Sequence, residues 1–171
     1  SAREVRDNMG KAKALYEPVM NNIKIKEAGG RDMAWVESVC KSYQPDILVL
    51  DMGDKFQTGG SFARQDEALK ACAIYARQIA KTYDCAVFYM SQLSADAEGR
   101  AELNQSMMEG SRTGKAAEAD LMMLIGKSPA KVEGEQEDSP VRHLNIAKNK
   151  LNGWHGRIDI NLDYKTARYY G

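Results

Sequence analysis

Four aliphatic residues, Ile47, Leu48, Val49 and Leu50, stand between Pro45 and Asp51 with no polar residue among them. A short continuous run bounded by a proline and by Gly53 predicts a strand buried on both faces, as in a parallel sheet. Parallel strands need a crossover, usually a helix, so this run points the chain to an α/β architecture. An acid at the carboxyl end of such a strand stands where open α/β sheets bind their ligands. The same acid also suits a turn, because an Asp side chain bonds nearby backbone N–H groups. The run alone does not choose between the two.

Downstream residues supply the crossover. Leu69, Cys72, Ala76, Ile79 and Tyr83 recur at three and four residues and predict a helix over about 62–83. Asp84 ends it, and residues 85–90 form a second apolar run, predicted to lie parallel to the first. Upstream, Asp32 is the expected cap of a helix bearing Trp35 or Val36, Val39, Cys40 and Tyr43 on one face. Val5, Met9, Ala12 and Tyr16 predict an earlier helix ended by Pro18, and residues 22–26 alternate like a short strand. Residues 91–115 are long, polar and rich in small side chains, the pattern of a functional or mobile loop. Residues 121–125 are a third apolar run, again directly after an acid, Asp120. Residues 128–140 read as an acidic surface insertion. Residues 141–148, 156–162 and 167–170 alternate, with turns at Asn152-Gly153 and at 163–165, and predict antiparallel strands at the sheet edge. There is no internal repeat, and residues 1–171 read as a single domain.

Composition excludes several classes. The chain has 43% hydrophobic and 28% charged residues, which is globular rather than disordered. Lys+Arg and Asp+Glu number 24 each, so no general basic coat points to nucleic acid, although a local footprint is compatible with neutrality. No run approaches the ~18 apolar residues of a membrane span. Cys40, Cys72 and Cys85 are odd in number, lie in apolar contexts and form no C-x-x-C, which predicts reduced core thiols of a cytosolic protein. His143 and His155 have no ligand-like spacing for zinc.

Four chemistry-bearing features follow one another: Asp51 after the first strand, Ser91-Gln92 after the second, a glycine-bearing loop before the third, and Lys148 with Lys150 on the next. The two lysines share a strand face, and residues 141–157 contain Arg142, Lys148, Lys150 and Arg157 with no acid, a local match to a phosphate-rich neighbour. The segment GSRTGK at 110–115 imitates a phosphate loop but is not one. A P-loop needs Gly where Glu109 stands and Ser or Thr where Ala116 stands. No other stretch qualifies.

This ordered set resembles the C-terminal part of a RecA-like ATPase domain of the DnaB and phage primase-helicase family of replicative helicases. ILVLDMGD resembles the Walker B strand, VFYMSQLSADAEGR the strand, Ser-Gln sensor and first DNA loop, and MMEGSRTGKAAEADLMMLIG the second DNA loop and following strand. HLNIAKNKLNGWHGRIDINLDYKTARYYG resembles the Lys-x-Arg strand and terminal hairpin. The resemblance covers residues from about Met33 onward. It implies an α/β RecA-like (P-loop NTPase) fold, a mostly parallel sheet flanked by helices with antiparallel C-terminal edge strands, and a P-loop segment absent from this chain. It also implies ATP and Mg²⁺ as ligands, with Asp51 acting on Mg²⁺ through water, Asp54 nearby, and Ser91 and Gln92 at the γ-phosphate. Arg100, Arg112 and Lys115 are then the expected contacts to single-stranded DNA inside a hexameric ring. Lys148 and Lys150 are expected to reach a neighbouring subunit's nucleotide, with Lys150 where the family usually has Arg. The resemblance further implies a phage protein of the host cytoplasm, part of a longer gene product and inactive alone. A RecA- or RadA-like recombination or regulatory ATPase, and a degenerate non-catalytic module that binds DNA or a partner, remain the alternatives.

Overall fold

The computed structural model describes residues 8–110, 114–127 and 139–171. Helix α1 is Met9–Met20. Pro18 lies within it rather than ending it; a proline near the C-terminus removes only one backbone bond, which the preceding turns tolerate. Residues 22–26 form no strand, because no described strand lies alongside to pair with them. Helix α2, Met33–Tyr43, begins as expected: the Asp32 carboxylate accepts the Trp35 N–H at 2.8 Å. That cap satisfies a donor the helix itself cannot, and it sets Met33, Val36 and Cys40 inward.

Strand β1, Ile47–Leu50, leads through a 3-10 turn at Gly53–Lys55 into α3, Gln65–Tyr83. Asp84, left-handed at φ 49°, ends α3 and turns the chain into β2, Ala86–Tyr89. β1 and β2 pair in parallel, Ile47 against Ala86 through Leu50 against Tyr89, so the crossover is as the periodicity predicts. Helices α2 and α3 close one side of this pair, and Met33, Val36, Cys40, Leu50, Cys72, Ala76, Ile79 and Cys85 form its core. The other side corrects the expectation of a strand buried on both faces. Ile47, Val49, Phe88 and Met90 are exposed there, Val49 at 54%, since nothing described lies over them.

A second block follows. Helix α4 (Gly114–Glu118) precedes β3 (Leu121–Gly126), β4 (Val141–Asn149), β5 (Gly156–Asp163) and β6 (Arg168–Tyr170). These strands form one antiparallel sheet in the order β3-β4-β5-β6, separate from β1-β2. Among the described residues the parallel part is therefore a single pair, not the majority of the sheet. The third apolar run pairs with the strand that returns after it, Leu121 against Asn149, instead of crossing over to β1 or β2. The turns fall where expected, with Gly153 at φ 76° between β4 and β5, a conformation open to glycine at no steric cost.

Residues 91–110 are folded rather than open. Ser94 N–H donates to the Met107 carbonyl at 2.8 Å, Glu109 N–H donates to the Gln92 carbonyl at 3.1 Å, and Leu93 bridges Met108. Within this closed segment, Ala97, Leu103 and Met108 join Ala116, Met122 and Leu124 in a second core. Among the described residues no helix is long and apolar enough to cross a membrane.

Candidate functional site

The carboxyl ends of β1 and β2 form a cleft of about 410 Å³ lined by Val49, Asp51, Met52, Met90 and Ser91. The ladder continues past the strands: Met90 N–H donates to the Leu50 carbonyl at 3.1 Å and Gly53 N–H to the Met90 carbonyl at 2.8 Å. This holds Asp51 and Ser91 on facing segments. The Asp51–Met52 peptide is cis. Asp51 is exposed at the cleft, and among the described residues no cluster of three or more His, Cys, Asp or Glu could hold a metal ion. One free carboxylate beside a serine hydroxyl suits a magnesium ion that takes its remaining ligands from water and phosphate oxygens, the usual mode for that metal.

Asp54, three residues on, is engaged differently. Its carboxylate accepts from Lys115 Nζ at 2.9 and 3.1 Å, from Ser91 Oγ at 2.6 Å and from Tyr89 Oη at 3.2 Å. Lys115 Nζ also lies 2.8 Å from Ser91 Oγ. Lys115 is 4% exposed. Burial, reinforced by the Asp54 charge, pushes the Tyr89 phenol well above its ordinary value, so it stays protonated and donates. Gly53 is required beside it: a Cβ there would sit 2.5 Å from the Tyr89 ring. The cluster thus joins the turn after β1, the end of β2 and the start of α4.

Lys115 is therefore a correction. Its expected place is a nucleic-acid-facing loop, but a carboxylate 61 positions upstream draws its ammonium inside. Gln92 is exposed and its backbone carbonyl anchors Glu109. Arg100 is exposed on a segment whose backbone packs against Gly126; a Cβ at Gly126 would meet the Arg100 carbonyl at 2.5 Å. Arg112 lies outside the described residues.

Lys148 and Lys150 share an end of β4, as expected, but both point to their own chain. Lys148 Nζ donates to the Ala116 and Ala117 carbonyls, and Lys150 Nζ approaches Asp120 at 3.4 Å. Arg77 of α3 pairs with the same Asp120 at 3.1 Å. The Arg77 hydrogen bond, with Lys150 adding, holds Asp120 below the usual carboxylate range. Partial burial, then the neighbouring Lys150 charge, lowers Lys148.

Sequence reasoning passed over Tyr89, Arg77 and Asn145. Tyr89 had a signal, since it lies two positions before Ser91 on one extended segment and so faces the same way. Asn145 is buried: it accepts the Leu103 N–H at 3.3 Å and donates to the Ala101 and His143 carbonyls at 2.9 and 3.0 Å. An asparagine in a strand gives no sequence hint of a partner 42 positions away.

A parallel pair crossed by a packed helix, an acid at its carboxyl end and an antiparallel extension define the RecA-like class of ATPase folds. More particularly, the chain has the fold of DnaB-type helicase ATPase domains. It matches a solved phage-type helicase relative, described as an ATPase domain, with a TM-score of 0.70 at 16% identity, over 82% of this chain and 51% of that one. It matches a DnaB-like replicative helicase, solved to describe its interactions with primase, with a TM-score of 0.78 at 18% identity, over 95% of this chain and 41% of that one. The chain thus spans about half or less of each. No protein-family model and no curated protein matches the sequence.

Proposed function

We propose that this chain forms the Walker B half of an ATP-hydrolysing motor domain of a replicative DNA helicase, with the P-loop supplied by sequence outside these 171 residues. The observation that carries the reading is Asp51: a free carboxylate at the end of a parallel pair, beside Ser91, in a fold shared with helicase ATPase domains. Bound Mg²⁺ would neutralise phosphate charge there. Asp51 would hold the ion through water, Ser91 would orient beside the phosphates, and Gln92 would face the γ-phosphate from the cleft's rim. The exposed apolar side of β1 and β2 supports the same reading, because a sheet of this class is covered on both sides.

In this proposal Arg100 and Arg112 meet single-stranded DNA through its phosphates, which asks for charge more than base reading. Lys148 and Lys150 serve the neighbouring subunit's nucleotide in a ring, after release from Asp120 and from the end of α4. Lysine there is a point charge without arginine's planar fork. The deciding experiment uses the full gene product. Asp51→Asn should abolish DNA-stimulated ATP hydrolysis with folding intact by circular dichroism; normal turnover would overturn the assignment.

A further inference from the structure

The buried Lys115 is used by no step above, and its setting is more specific than a stabilising ion pair requires. Its side chain is 3% exposed and that of Asp54 13% exposed. Nζ has three oxygen contacts on two other elements: both Asp54 oxygens and Ser91 Oγ. Lys115 itself is the second residue of α4, directly after the glycine-bearing loop. Ser91 lines the cleft, and Asp54 lies three residues from Asp51 in the turn that leaves it. An ammonium enclosed in this way cannot leave its carboxylate without stranding a charge away from water, so α4 and the turn after β1 move as one. Gln92, by contrast, contacts the start of the glycine-bearing loop only through its backbone carbonyl, at Glu109.

We infer that Lys115 is a positioning residue that ties the glycine-bearing loop to the nucleotide edge, so that a displacement of the loop is carried through Asp54 and Ser91 to the Asp51 cleft. What that displacement regulates rests on the proposed function. The tie itself does not.

Two measurements test it. The first is amide hydrogen exchange on the 171-residue chain. Lys115→Met should accelerate exchange on the order of tenfold or more at residues 53–56 and 91–94 together, while the β4–β5 ladder is unchanged. Acceleration confined to α4, no acceleration, or a uniform rise that includes β4–β5 would overturn the tie. If Lys115→Met does not fold, the double variant Asp54→Asn/Lys115→Gln, which removes both charges and keeps amide hydrogen bonds, is read by the same criteria.

The second uses the full gene product with an oligo-dT strand. Lys115→Met should lower the ratio of DNA-stimulated to unstimulated ATP hydrolysis by about tenfold, within the usual range of site-to-site coupling. Oligo-dT affinity and its salt slope should stay within about twofold of wild type, because Lys115 meets no phosphate. An unchanged ratio would overturn the coupling, and so would an equal fall of both rates. Weakened binding with a flatter salt slope would mean that Lys115 is a DNA contact after all. If the wild-type protein shows no DNA-stimulated hydrolysis, the functional reading fails and the coupling with it, while the exchange result still decides the tie.

Discussion

Asn145→Ala isolates what holds the segment bearing Arg100 in place. The Asn145 amide makes three hydrogen bonds, to the Leu103 N–H, the Ala101 carbonyl and the His143 carbonyl. Asn145 is buried, so truncation leaves the Leu103 N–H and Ala101 carbonyl without these partners in a setting with little water. Hydrogen bonds of this kind contribute ~0.5–1.5 kcal/mol each, and a stranded buried group costs ~1–3 kcal/mol. The expected loss is about 2–4 kcal/mol. For a domain of this size that lowers Tm by roughly 5–15 °C. Urea unfolding supplies the stability difference, and amide exchange at Leu103 shows where it arises. Asn145→Asp, which keeps the acceptor and loses both donors, should fall between. A loss below ~0.5 kcal/mol, with the Leu103 amide still protected, would refute the claim that this side chain clamps the segment.

Three further outcomes follow from the geometry. Gly53→Ala places a Cβ 2.5 Å from the Tyr89 ring and should displace it from Asp54, costing about 1–3 kcal/mol in urea unfolding; an unchanged midpoint would mean the ring has room to yield. Burial, aided by Cys85 and Glu37, raises the Cys40 thiol from 9.0 to about 11. The folded chain therefore holds that proton more tightly than the unfolded one, and its contribution to stability is full below about pH 9 and fades as pH rises toward 11. Stability measured across that window should fall with pH, and less so in Cys40→Ala. Asp120→Asn removes the shared partner of Arg77 and Lys150 at an exposed site, so stability should change by less than ~1 kcal/mol, and solvent accessibility of Lys150 to amine-labelling reagents should rise.

What the sequence disclosed depended on whether the responsible interaction was local. The cap at Asp32, the stripe Leu69-Cys72-Ala76-Ile79 and the turn at Gly153 each follow from neighbours within one or two turns of chain, and each lies where the pattern puts it. The run from Ile47 to Leu50 identifies a strand, but a continuous apolar run does not say which side is covered, and the described residues cover only one. Asp51 is legible as an acid at a strand end. Lys115 is not: a lysine among glycine and polar residues has the pattern of a solvated one, and only the fold brings Asp54 and Ser91 to it. The polar segment 91–110 likewise has the pattern of an open loop because Leu103 and Met108 are sparse in it, yet those residues complete a core with β3 and α4.

The separation of the two sheets has a mechanical consequence. Among the described residues no ladder hydrogen bond joins β1-β2 to β3-β4-β5-β6, so sliding one against the other stretches no backbone pairing. The resistance comes from side chains: α3 against α4, Arg77 against Glu118 and Asp120, and Lys115 against Asp54. Such a joint is compliant in shear while each block stays stiff. Load applied at the glycine-bearing loop would then reach the β1 edge concentrated on a few named contacts rather than spread across a continuous sheet.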